Sequence, residues 1–159
     1  MLSSNNSKIK SNIFISIDVE TTGTDISCDN IIEIAACKYS EGKLIETFTS
    51  LVNPNKKLSP FISKLTGIKD IDLINQPIFS QISNSFIDFI KDYPIVGHNI
   101  KFDIDFLNLE LKKNNLYDSR CIYDTYHLAK IFLFYSESFK LSSLCENFNI
   151  STDNFHRAE

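Results

Sequence analysis

The stretch Ile13-Phe14-Ile15-Ser16-Ile17-Asp18-Val19-Glu20-Thr21-Thr22-Gly23 decides how the rest of this 159-residue chain is read. Residues 13–19 form a nearly continuous apolar run, the pattern of a central strand covered on both faces. Asp18 and Glu20 close that run two positions apart, so their side chains leave the same face. Two carboxylates aimed into one small space repel each other unless a cation sits between them. Mg²⁺ and Mn²⁺ prefer oxygen ligands, which makes the pair a natural half-site for such an ion. Taken alone, D-x-E is more often a solvated strand end. Thr21-Thr22-Gly23 reverses those odds, because backbone donors and a tight glycine turn there can approach a bound substrate.

Outward from this strand, Ile31 to Tyr39 and Leu44 to Val52 read as a second and third strand joined at Glu41-Gly42. Ser59-Pro60 offers an N-cap followed by proline at the first helical position, opening a short helix to Leu65. A longer helix starts at Gln76-Pro77. Its apolar residues Phe79, Ile82, Phe86, Ile87, Phe89 and Ile90 recur at three- and four-residue steps and mark one buried face. Tyr93 to Gly97 reads as a fourth strand, Phe102 to Lys113 as a helix and Cys121 to Tyr123 as a short fifth strand. Helices over Thr125 to Phe134 and Leu141 to Phe148 follow. The β-β-β-α-β-α-β-α order predicts an α/β sandwich, and residues 13–159 read as one domain behind a disordered polar segment, 1–12.

Composition narrows the function. Apolar content of 43% and charged content of 23% are those of a globular protein. A net charge of −4 argues against a broad electrostatic grip on duplex nucleic acid, but not against a metal-assisted site, because divalent ions attract phosphate locally. Cys28, Cys37, Cys121 and Cys145 form no C-x-x-C pair and read as reduced, mostly buried thiols of a cytoplasmic protein. No signal peptide or membrane-spanning run is visible, so no membrane partner is expected.

Two further segments carry chemistry. Gly97-His98-Asn99-Ile100-Lys101-Phe102-Asp103 places an aspartate in the first turn of a helix. By itself that is a common acid stabilised by the helix dipole. His156-Arg157-Ala158-Glu159 supplies a histidine, whose unperturbed pKa near 6.5 suits a general base. In order and spacing, the three segments resemble the motifs of the DEDDh 3′→5′ exonucleases, the family of the proofreading (epsilon) subunit of bacterial DNA polymerase III. Leu51-Val52-Asn53-Pro54, Leu65-Thr66-Gly67-Ile68 and Asp124-Thr125 also look like epsilon-type segments, and the resemblance spans Phe14 to Glu159.

The resemblance implies a ribonuclease-H-like fold with a mixed five-stranded sheet whose second strand is antiparallel. It implies hydrolysis of nucleic acid, DNA before RNA, from the 3′ end to nucleoside 5′-monophosphates, with two Mg²⁺ or Mn²⁺ ions. Asp18, Glu20 and Asp103 are the implied metal ligands and His156 the base, while Thr21, Thr66, His98 and Asn99 are expected at the substrate. The implied partners are a single-stranded 3′ end and a DNA polymerase subunit. The family's third motif reads H-R-A-x-x-D-A, and the sequence stops two residues before its aspartate. Glu159 stands at the wrong helical angle to replace it, about 160° away. A truncated, impaired exonuclease domain is therefore expected, its final helix largely missing. The rivals are a non-catalytic exonuclease-like binding module or truncated gene product, and an RNA-directed exonuclease resembling ribonuclease T or oligoribonuclease.

Overall fold

A computed structural model describes residues 12–111, 116 and 121–151. Apart from Asn12, the expectations for residues 1–12 lie outside the described residues, as do those for His156, Arg157 and Glu159. Strands β1 (Ile13–Thr21), β2 (Ile31–Ser40), β3 (Lys43–Leu51), β4 (Ile95–Gly97) and β5 (Ile122–Asp124) form one sheet in the order β3-β2-β1-β4-β5. β2 runs antiparallel to its neighbours β1 and β3, while β4 and β5 continue parallel to β1. This is the mixed five-stranded α/β sheet that the sequence implied, with β1 at its centre. The helices are α1 (Pro60–Thr66), α2 (Asp70–Leu73), α3 (Phe79–Ile90), α4 (Lys101–Leu111), α5 (Thr125–Phe132) and α6 (Leu141–Asn147).

Local chemistry sets the boundaries. The β2–β3 hairpin turns on Glu41 and Gly42, both at positive φ (52° and 73°), as a two-residue turn with a twist matched to the strands demands. Ser59 caps α1 by accepting from the Ile62 N–H at 3.2 Å, Pro60 opens it, and Gly67 closes it in the left-handed region. α2 has no counterpart in the sequence reading. It is a single turn held by the Asp72 carboxylate reaching back to the Lys69 N–H, too short for any hydrophobic period to reveal. α3 starts at Phe79 rather than at Pro77, with the Gln81 side chain accepting from the Ile78 N–H.

The main core lies under one sheet face. Ile15, Ile17 and Val19 of β1 meet Phe79, Phe86 and Ile90 of α3 and Ile104, Phe106 and Leu107 of α4. The expectation that β1 is covered on both faces is corrected. Burial alternates along it, with Ile17 buried, Asp18 exposed and Val19 buried. The apolar residues between Ser16, Asp18 and Glu20 supply one covered face, and the other is polar where the carboxylates stand. A bulge after Glu20 leaves Ile32 as an extra residue of β2. It lets Ile31 enter the main core while Ile32 joins a second cluster with Ile62, Ile68 and Leu73 beneath α1 and α2. The four cysteines are free thiols, as expected, but none is buried: Cys28 and Cys121 are exposed and the others half-buried, since they occupy loop, strand-start and outward-facing positions. Among the described residues no helix is long and apolar enough to cross a membrane.

Candidate active site

β1 delivers Asp18 and Glu20 to the end of the central strand, on the face away from the main core. α4 delivers Asp103 from its first turn. Asp103 is only 6% exposed. Its Oδ1 accepts from the Val19 N–H at 2.9 Å, so residue 103 is fastened to the backbone between the two β1 carboxylates. Burial pushes the Asp103 carboxyl up to about 8, and the negative charge of Asp18, with that of Glu20 behind it, adds to the shift against the opposing Val19 N–H. Three acids separated by up to 85 positions thus share one electrostatic environment.

The loops around them are latched. Gly23 has no room for a side chain, since a Cβ there would meet Asp29 Oδ2 at 2.2 Å. Asp29 accepts from the Thr22 hydroxyl at 2.8 Å and pairs with Lys56 at 2.9 Å. Lys56, together with Thr22 and Asp25, outweighs desolvation and holds the Asp29 carboxyl below its usual range. Gly97 is similarly confined, with Ile100 Cδ1 2.5 Å from where its Cβ would stand. Asn99 turns the chain into α4 at a positive φ of 58°, and its N–H donates to Asp124 Oδ1 at 2.9 Å. Desolvation would push the Asp124 carboxyl up. N–H donation from Asn99 and Tyr126 and the adjacent His127 ring outweigh it and hold the group low.

The expected substrate residues are placed unequally. His98 and Asn99 sit half-buried and exposed on the β4–α4 loop. Thr21 is buried and donates to the Gly23 carbonyl at 2.5 Å. Thr66 is buried, donating to Ile62 O and accepting from the Ile68 N–H. Both threonine hydroxyls are occupied in shaping their turns. The sequence reading passed over Glu33, which is 2% exposed and faces Glu20 across the β1–β2 ladder. A lone acid within Ile31-Ile32-Glu33-Ile34 was the available signal. Asp124 ties the β4–α4 loop to α5, accepting from the N–H groups of Asn99 and Tyr126.

The donor set suits a hard divalent cation. All three side chains offer carboxylate oxygens, and a cation among them would relieve the repulsion and desolvation that Asp103 experiences. Among the described residues, no three His, Cys, Asp or Glu side chains are grouped so as to hold a metal ion.

Comparison with known proteins places this arrangement. The profile of the RNase_T exonucleases matches residues 15–159. A PolC-type DNA polymerase III from Caldanaerobacter subterraneus is 35% identical over 145 residues, covering 91% of this chain and 10% of the polymerase. A 3′-5′ exonuclease DinG from Staphylococcus epidermidis is 33% identical over 147 residues, covering 92% of this chain and 16% of that protein. The chain thus spans well under a fifth of the length of these relatives. In fold it is similar to E. coli exonuclease I, solved with ssDNA (TM-score 0.77, 18% identity, 92% of this chain and 37% of that one). It is similar also to the nuclease domain of 3′hExo, a DEDDh family member bound to rAMP (TM-score 0.77, 21% identity, 91% and 82%). DEDDh exonucleases generally use divalent metals. With its sheet order, its strand-end carboxylates and a profile match across nearly its whole length, the chain belongs to the RNase_T exonuclease family.

Proposed function

We propose that this chain is a metal-dependent 3′→5′ exonuclease domain that removes nucleoside 5′-monophosphates from the 3′ end of single-stranded DNA. One observation carries the reading: the buried Asp103 carboxylate is fastened to β1 between Asp18 and Glu20. Asp18, Glu20 and Asp103 would hold two Mg²⁺ or Mn²⁺ ions. When bound, these ions supply Lewis acidity to the phosphate oxygens and the attacking water. His156 would take the proton of that water, a task suited to imidazole near neutral pH. The Thr21–Gly23 turn and the α1 end at Thr66 would receive the terminal nucleotide through their backbones, and His98 and Asn99 would contact it from the β4–α4 loop. A DNA polymerase partner is supported by the PolC-type relative, and a single-stranded substrate by the ssDNA bound to exonuclease I. We assign the protein to the cytoplasm, supported by four free cysteines.

A second substrate class is favoured by the rAMP held in 3′hExo. An RNA strand differs at the 2′-hydroxyl, which a sugar-edge contact would read. The test is release of mononucleotides from labelled single strands, DNA and RNA in parallel, with Mn²⁺. Release from the 3′ end that disappears in Asp18→Ala and Asp103→Asn is expected. Binding without release from either strand would instead establish a non-catalytic module.

A further inference from the structure

The β1–β2 loop begins with the turn that follows Glu20, and its bonds converge on Asp29. Asp29 Oδ1 accepts from the Thr22 hydroxyl at 2.8 Å, and Oδ2 accepts from the Asp25 N–H at 3.0 Å. Gly23 packs directly on the same carboxylate, which leaves no room for a Cβ there. The loop is closed by the Thr22 N–H, donating to the Asn30 carbonyl at 2.9 Å, and by the Asn30 N–H, donating to the Thr22 hydroxyl at 3.1 Å. Lys56 enters from a different segment, between β3 and α1. Its ammonium donates to Asp29 Oδ1 at 2.9 Å and to the Cys28 carbonyl at 2.7 Å. That segment is itself anchored. Asn53 donates to the Ile74 and Pro77 carbonyls at 3.2 and 2.9 Å, and the Leu58 N–H donates to Asp70 Oδ1 at 2.8 Å. It runs on into α1, which ends at Thr66. Lys56 is thus a strut between the α1 segment and the Thr21–Gly23 turn.

We propose that Lys56 is a positioning residue for strand binding, which acts through Asp29 to hold the Thr21–Gly23 turn in place and does not itself touch the strand. The inference rests on the exonuclease reading of the site. Two of the three ammonium hydrogens are committed to Asp29 and Cys28, and the charge is matched by the Asp29 carboxylate, which leaves little for a phosphate. The two side chains are 36% and 16% exposed. A pair this open contributes little to global stability, so its effect is local. A turn already ordered when the strand arrives spares the complex the cost of ordering it. The benefit falls on binding rather than on hydrolysis, because Asp103 is fastened separately, by the Val19 N–H.

Amide hydrogen exchange of the metal-free protein, without nucleic acid, reads the turn itself. Lys56→Met should speed exchange at Thr22 and Asn30 about 2- to 5-fold, the range of a partly exposed ion pair, and Lys56→Arg should stay close to wild type. Fluorescence polarisation in EDTA with a single-stranded DNA oligonucleotide should show affinity weakened by the same factor. In nucleotide release with Mn²⁺ the KM should rise alike, with kcat within about 2-fold of wild type, the pattern of lost binding rather than lost chemistry. In an Asp29→Asn background, Lys56→Met should add nothing further. The dependence of affinity on salt should keep its wild-type slope, because a lost phosphate contact would lower it by about 0.7. Unchanged exchange in Lys56→Met, an affinity loss that persists in full with Asp29→Asn, a slope lowered by that amount, or a fall in kcat at constant KM overturns the inference. Absence of nucleotide release from the wild type would refute the exonuclease reading separately, because exchange and affinity are measured without turnover.

Discussion

At the scale of single residues, Asp103 couples folding, protons and metal. Its folded-state pKa of about 8 lies far above the ordinary carboxylate value of 3.8. Between those two values the folded protein keeps a proton that the unfolded chain releases. The contribution to stability is therefore complete below about pH 4 and is lost as pH rises toward 8. Denaturant titrations in EDTA at pH 5 to 8 should show wild-type stability falling across this window, relative to an Asp103→Asn variant. Asparagine keeps an oxygen for the Val19 N–H but has no proton to lose, so Asp103→Asn should match or exceed wild-type stability at pH 8. Parallel slopes for the two proteins would refute this assignment. A cation must displace the same proton, so the rise in Tm on adding Mn²⁺ should be larger at pH 8 than at pH 6. The double variant Asp18→Ala, Glu20→Ala should show little of that rise, and an undiminished rise would place the ion elsewhere.

At the scale of elements, the β4–α4 loop is held by the start of α5. Asp124 caps α5 through the Tyr126 N–H at 2.9 Å while accepting from the Asn99 N–H. Asp124→Ala removes a helix cap and strands a loop donor, so it should cost about 1–3 kcal/mol in unfolding free energy. It should also lower kcat for nucleotide release, because Asp103 lies only four residues beyond Asn99. Asp124→Asn keeps an acceptor oxygen and should lose less in both measurements. A stability loss with no change in kcat would confine Asp124 to a structural role. The bond to Asn99 joins two segments 25 residues apart, a spacing that neither helical nor strand periodicity records.

At the scale of the whole molecule, the site stands on the packing of α3 and α4 against the central strands. Phe86 is fully buried, with Phe48 and Phe79 rings at 5.6 and 6.4 Å. Phe86→Ala should cost about 3–5 kcal/mol by opening a cavity that the surrounding sheet cannot fill. Its activity at saturating Mn²⁺ and low temperature should recover toward wild type once corrected for the folded fraction. A deficit that survives the correction would show that core strain reaches the carboxylates.

The sequence by itself determined the strands, the major helices and their order. Those follow from short-range rules: apolar periodicity, a proline after Ser59 and a glycine after Glu41. For Asp18, Glu20 and Asp103 it offered an expectation, drawn from the resemblance of the motifs that carry them and from the shared face of Asp18 and Glu20 at a strand end. Burial on only one face of β1, the single turn of α2, the exposure of the cysteines and the Asp124 latch were decided in three dimensions. So was the condition of Asp103. Its displaced pKa arises from desolvation under the core and from charges on a strand some 85 residues earlier, and neither acts until the sheet and α4 have closed on one another.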